Sequence, residues 1–190
     1  MSRADEGSPA ATAPATGVHL VLVGLMGAGK TTVGERCAAV LDRPFVDTDA
    51  VIEATVQLNV TEIFEQFGET RFRELERQAV ADVAASPAPL VIACGGGAVL
   101  DAGSRRALRG AGVVVWLQAP TAVLEARVGA GSTRPLLRGS PAATLERLAA
   151  QREAAYEAAA HLTVDTADRS VDEVADAVLA AVREVDTWTG

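Results

Sequence analysis

The chain has 190 residues, of which 49% are hydrophobic, 22% charged and 4% aromatic, and its formal net charge is −8. That length suits one compact α/β domain with a sizeable core and leaves little for a second. The acidic balance argues against nonspecific nucleic-acid binding, and no stretch resembles a signal peptide or approaches the roughly eighteen apolar residues of a membrane span, so a cytoplasmic protein with neither partner is expected.

Residues 1–16 are rich in Ala, Pro, Ser and Thr, lack periodicity, and read as a disordered tail ahead of a single domain over 17–184. The apolar run Val18–Val23 predicts a buried strand, and Gly24-Leu25-Met26-Gly27-Ala28-Gly29-Lys30-Thr31 follows it. This is the G-x-x-x-x-G-K-[ST] phosphate-binding pattern, set between a strand and a helix predicted over Thr31–Leu41. Lys30 is the only lysine in the chain; the other sixteen basic side chains are arginine. A compact ammonium on a flexible stem reaches β- and γ-phosphates where a forked guanidinium is too bulky. Backbone N–H groups and the helix N-terminus supply the remaining positive field.

Further strands are expected at Phe45–Asp47, Leu90–Ala93, Val113–Leu117 and Leu162–Val164, each short and apolar throughout, as in a parallel sheet covered on both faces. Helices fill the gaps. Short ones are expected at Asp49–Thr55 and Thr61–Phe67, with longer ones at Glu69–Ala85, Pro141–Ala160 and Val171–Val182. Ser140 before Pro141 suits an N-cap and first-turn proline, and Ser170 with Glu173 suits a capping box. Gly129–Ser140, glycine-rich and carrying Arg134 and Arg138, reads as a mobile charged loop of the kind a closing lid needs. Cys37 and Cys94 lie outside any C-x-x-C pattern and are expected to be buried thiols, and His19 and His161 to be strand-end residues.

Several groups gather at the carboxyl ends of these strands, where ligands bind in open parallel sheets. Asp47-Thr48-Asp49 places two carboxylates there. One could hold Mg²⁺ through water and the other accept a hydroxyl proton; the competing reading makes Asp49 the N-cap of the next helix. Gly95-Gly96-Gly97 could bring backbone N–H groups against an anion, or serve as a plain turn. Arg73 stands four residues after Glu69, which by itself describes a surface pair worth ~0.3–0.5 kcal/mol. Arg152 has no intrahelical carboxylate within reach, so its charge must meet water, another segment or a ligand. The sole asparagine, Asn59, is followed by valine, so the N-K-x-D guanine-reading motif of a GTPase is absent.

Together the phosphate loop, Asp47-Thr48-Asp49, Gly68-Glu69…Phe72-Arg73…Glu76, Gly95-Gly96-Gly97, Arg134-Pro135-Leu136-Leu137 and Arg152…Tyr156 resemble the shikimate kinase family, over roughly Val18 to Val182. The resemblance implies a P-loop NTPase, nucleoside-monophosphate-kinase-like three-layer sandwich with a five-stranded parallel sheet ordered 2-3-1-4-5. It implies transfer of the γ-phosphoryl of ATP to the 3-hydroxyl of shikimate, in chorismate and aromatic amino-acid synthesis. Residue by residue, it implies that Gly27, Ala28, Gly29, Lys30, Thr31 and Thr32 cradle the phosphates and that Thr31 and Asp47 hold Mg²⁺. Asp49 would be the base, while Arg73, Arg152 and Gly95–Gly97 would bind the acid within a substrate region spanning about 49–78. Arg134 would enter with the lid at about 129–140, Arg127 would flank the adenine, and Arg169, in the loop after Asp165, would help close the base pocket. A monomer is the expected state.

Two departures carry consequences. The usual proline and leucine between the second arginine and tyrosine are missing from Arg152-Glu153-Ala154-Ala155-Tyr156, which implies a more regular helix there. Ala93 stands where the family often has Ser or Thr, which removes a hydroxyl on the magnesium side. The competing readings are a gluconate-type sugar-acid kinase and a catalytically silent nucleotide-binding domain.

Overall fold

A computed structural model describes residues 18–128 and 140–185. The chain runs β1 (His19–Val23), α1 (Lys30–Leu41), β2 (Phe45–Asp47), α2 (Thr48–Val56), α3 (Val60–Ala84) and β3 (Val91–Ala93). It continues through a short 3-10 turn (Ala98–Leu100), α4 (Ala102–Ala111), β4 (Gly112–Gln118), α5 (Thr121–Val128), α6 (Pro141–Ala159), β5 (Leu162–Asp165) and α7 (Val171–Arg183). The expected tail and residues 129–139 of the expected lid, with Arg134, lie outside the described residues.

All strand pairings are parallel, in the order β2-β3-β1-β4-β5. Leu20, Val21 and Leu22 of β1 are fully buried, and β4 is buried from Gly112 to Leu117. These central strands are the unbroken apolar runs that a sheet covered on both faces demands. Each such side chain contributes ~1.5–3 kcal/mol on burial. By comparison, the Arg36–Asp172 pair joining α1 to α7 is exposed at both ends and contributes at most about 1 kcal/mol. Apolar packing therefore holds the layers together.

A separate small cluster of Ile52, Ile63, Phe72 and Ala79 joins α2 to α3 beside the main core. The helix expected over 61–67 and the one starting at Glu69 form one element broken at Gly68, whose φ of 77° and ψ of 175° leave the helical region. Glycine takes that left-handed φ without the strain a Cβ would impose. The cap of α2 removes the competing reading of Asp49: Asp47 is the N-cap, its Oδ1 accepting from the Asp49 N–H at 2.9 Å. Asp49 is left in the first turn with its carboxylate outside the cap. Ser140 and Ser170 cap α6 and α7 as expected.

Both histidines sit at strand starts and both accept a backbone N–H at Nδ1: His19 from Leu90 and His161 from Val114, each at 3.0 Å. Burial lowers the pKa of each below the ordinary 6.5, although a hydrogen bond to the Ala84 backbone partly offsets this at His19. A lowered value means that the unfolded chain binds protons the folded one refuses, so stability declines as pH falls below about 6.5. The melting temperature should drop between pH 6.5 and 5. Replacing both histidines by asparagine, which keeps an acceptor near Nδ1, should flatten that slope; an unchanged slope would place the acid sensitivity elsewhere.

Candidate active site

The phosphate loop turns on glycines that side chains could not replace cheaply. Gly27 and Gly29 have φ of 82° and 90°, and a Cβ on Gly27 would come within 2.8 Å of the Leu124 carbonyl oxygen. The loop wraps a concave backbone whose rim carries Lys30, its Nζ donating to the Leu25 carbonyl at 3.0 Å. Thr32 Oγ1 donates back to the Gly29 carbonyl at 3.1 Å. Thr31 Oγ1 donates to Asp47 Oδ2 at 3.0 Å, so the two residues proposed for the metal are already neighbours.

From this rim a cavity of about 930 Å³ extends along the carboxyl ends of β2, β3 and β1. Lys30, Thr31, Asp47 and Asp49 line it, as do Arg73, Glu76, Gly95–Gly97 and Arg152. Phe64 and Phe72, with ring centroids 4.7 Å apart, wall one side. The site residues read from the sequence on strand ends and on two distant helices thus meet in one space.

Arg73 is more than the surface pair its spacing describes. Nη2 does meet Glu69 at 3.0 Å, but Nη1 meets Glu76 at 2.7 Å, and Glu76 is only 3% exposed. Burial works against the Arg73 charge, and the paired carboxylates of Glu76 and Glu69 outweigh it, holding its pKa above the ordinary guanidinium value. Burial pushes the Glu76 carboxyl upward against the opposing pull of Arg73 and Arg152. Glu76 Oε1 accepts no hydrogen bond among the described residues. Sequence reasoning quoted Glu76 within a motif and gave it no role, although its i+3 spacing from Arg73 was visible.

Arg152 is 4% exposed, and its Nη1 donates to the Gly96 carbonyl at 2.9 Å. The triple glycine is needed for close approach: a Cβ on Gly95 would lie 2.5 Å from Asp49 Oδ1, and one on Gly97 would overlap the Arg73 guanidinium. Within the nest of N–H groups read from the sequence, the Gly95 N–H is already taken, donating to Thr48 Oγ1 at 2.9 Å. At the other end of the site, Arg127 donates to the Thr166 hydroxyl at 2.9 Å and to the Thr166 carbonyl, joining α5 to the loop after β5. Arg169 is exposed in that same loop.

A model of the family described as shikimate kinase matches residues 26–183. The chain belongs to the shikimate kinase family. A shikimate kinase from Mesorhizobium japonicum is 43% identical over 164 residues, covering 86% of this chain and 80% of the relative. A solved shikimate kinase from Acinetobacter baumannii, in complex with shikimate, superposes with a TM-score of 0.84 at 35% identity, covering 87% of this chain and 93% of that one. A gluconokinase from Sinorhizobium meliloti, at 21% identity and a TM-score of 0.57 over 89% of this chain and 93% of its own, shares the fold alone. The five-strand order 2-3-1-4-5 is that of this P-loop kinase family, and among the described residues no helix is long and apolar enough to cross a membrane.

In this kinase, Gly97→Ala should lower the melting temperature, since the added Cβ displaces the Arg73 guanidinium from its pair with the buried Glu76. Its KM for shikimate should rise about tenfold or more as Arg73 is pushed aside, a loss near 1.4 kcal/mol. An unaltered KM would show that Arg73 need not stand against the glycine turn.

Proposed function

We propose that this protein transfers the γ-phosphoryl group of ATP to the 3-hydroxyl of shikimate, a step in chorismate and aromatic amino-acid synthesis. The observation that carries the reading is the set of groups that share one cavity. Lys30 and Thr31 of the phosphate loop, Arg73, Arg152, the glycine turn and Asp49 all line it, and Asp49 Oδ1 lies against Gly95. Shikimate is a small carboxylate with vicinal hydroxyls, and two guanidiniums bind a carboxylate with geometric specificity. Its ring then extends toward Asp49, which accepts the 3-hydroxyl hydrogen bond and takes up the proton as the bond to phosphorus forms.

Phosphoryl transfer asks little covalent chemistry of the protein; alignment and charge neutralisation dominate. Lys30 neutralises the β/γ-phosphate oxygens, Gly27–Thr32 bind the phosphate chain, and Arg127 and Arg169 border the base. Arg134 carries over from the Arg134-Pro135-Leu136-Leu137 segment as the cation that meets the transferring group. Thr31 and Asp47 fit Mg²⁺: a hydroxyl and a carboxylate 3.0 Å apart are hard oxygen donors, and this ion takes few protein ligands beside phosphate and water. When bound, Mg²⁺ would neutralise charge on the β- and γ-phosphates. Every group named comes from one chain, so a monomer suffices.

The test is ADP release coupled to a dehydrogenase readout, with shikimate and gluconate compared. Shikimate should drive turnover; faster turnover of gluconate would overturn the assignment, and ATP binding without shikimate-dependent ADP would favour a silent domain. Arg134→Ala should lower kcat by about 10³-fold, the lower end for an arginine that stabilises a transferring phosphoryl group. A loss below about tenfold would remove it from the transition state. Arg73→Ala should chiefly raise the KM for shikimate, because its contacts exist before and during transfer alike. An unchanged KM would return it to a surface role.

A further inference from the structure

The Gly95–Gly97 turn is gripped from two sides. Thr48, fully buried where β2 meets α2, fixes the Gly95 N–H. From the other side, α6 supplies two donors to a single acceptor: Tyr156 Oη at 2.7 Å and Arg152 Nη1 at 2.9 Å, both on the Gly96 carbonyl oxygen. In a planar trans peptide the carbonyl and the N–H point in opposite directions. Drawing the Gly96 carbonyl toward α6 therefore turns the Gly97 N–H away from it, and that N–H donates to no group among the described residues.

The Tyr156 ring has its own seat, stacked on Trp116 with centroids 5.4 Å apart and planes 22° apart, and the residue is 1% exposed. Phenylalanine would fill that seat equally well. A buried hydroxyl is unfavourable unless it forms a hydrogen bond, and here its partner is the Gly96 carbonyl. The Arg152 guanidinium lies against the phenol as well. Burial pushes the phenol pKa up to about 12, so it remains a neutral donor at any physiological pH.

We propose that Tyr156 is a positioning residue: its hydroxyl sets the Gly96–Gly97 peptide plane and the Arg152 guanidinium together, so that a peptide N–H and a cation face the same carboxylate. The proposal rests on the assignment of Arg152 and the glycine turn to the substrate's carboxylate. It adds a residue that never touches substrate, one helical turn from the arginine and on the same face of α6.

The experiment compares full-length wild type with Tyr156→Phe, using shikimate and its methyl ester, which lacks the carboxylate charge. The KM for shikimate should rise roughly tenfold, while the KM for ATP stays within about twofold and the ester is affected no more than about twofold. The melting temperature should change little, because the stack on Trp116 is kept. Tyr156→Leu, which loses the stack too, should lower the melting temperature as well. A shikimate KM that moves less than about twofold in Tyr156→Phe, or an equal loss for acid and ester, would overturn the positioning role. Wild type that fails to turn over shikimate at all would instead contradict the functional reading beneath it.

Discussion

Positive charge has been buried at the carboxyl edge of the sheet, and the rest of the site is arranged around that constraint. Arg152 is almost fully buried, yet among the described residues it forms no ion pair; its near contacts are a carbonyl and a phenol. Arg73 is largely buried against Glu76, a carboxylate that is itself out of water. Burying an ion is unfavourable by several kcal/mol unless partners compensate. Glu76 and Glu69 compensate Arg73, whereas Arg152 has only neutral acceptors beside it, and in the proposed complex the substrate carboxylate would complete its balance. On the proposed function, a chain of net charge −8 would attract two anions because local guanidiniums and amides outweigh the distant surface carboxylates, whose fields water and salt screen.

The same arrangement explains why glycine recurs at the centre of the site. Asp49, Glu76 and Arg73 crowd the positions where side chains on Gly95 and Gly97 would lie. The turn thus lets opposite charges pack against bare backbone from both flanks, leaving peptide N–H groups to face the cavity. The small Ile52, Ile63, Phe72 and Ala79 cluster carries the Arg73 end of this wall, while the main core carries the phosphate loop. Two apolar units therefore hold the two halves of the chemistry.

Much of this was legible in the sequence, for a physical reason. Central parallel strands bury both faces, so β1, β3 and β4 announce themselves as unbroken apolar runs and fall within a residue or so of expectation. The phosphate loop is local geometry, and local geometry is written in adjacent residues. The helices α4 and α5 were not singled out. The first carries Gly103 and Gly110, which weaken helical propensity, and the second is only eight residues long. The cap of α2 was open in the sequence because Asp47 and Asp49 are chemically equivalent; only backbone dihedrals separate them. Glu76 and Tyr156 showed helical spacing to their arginines. Their roles depend on Gly95 and Gly96, which reach them through the packing of the 3-10 turn after β3 against α3 and α6, and no local pattern encodes that distance.

The central proposal is spatial: the acid and the triphosphate would share one cavity that Asp49 also lines. A crystal structure of the protein with shikimate, ADP and Mg²⁺ tests it most directly. The carboxylate should lie between Arg73 and Arg152, with the 3-hydroxyl within hydrogen-bonding distance of Asp49 and facing the Gly24–Thr31 loop. A carboxylate bound away from both arginines, or a ring whose hydroxyls turn from Asp49, would contradict it.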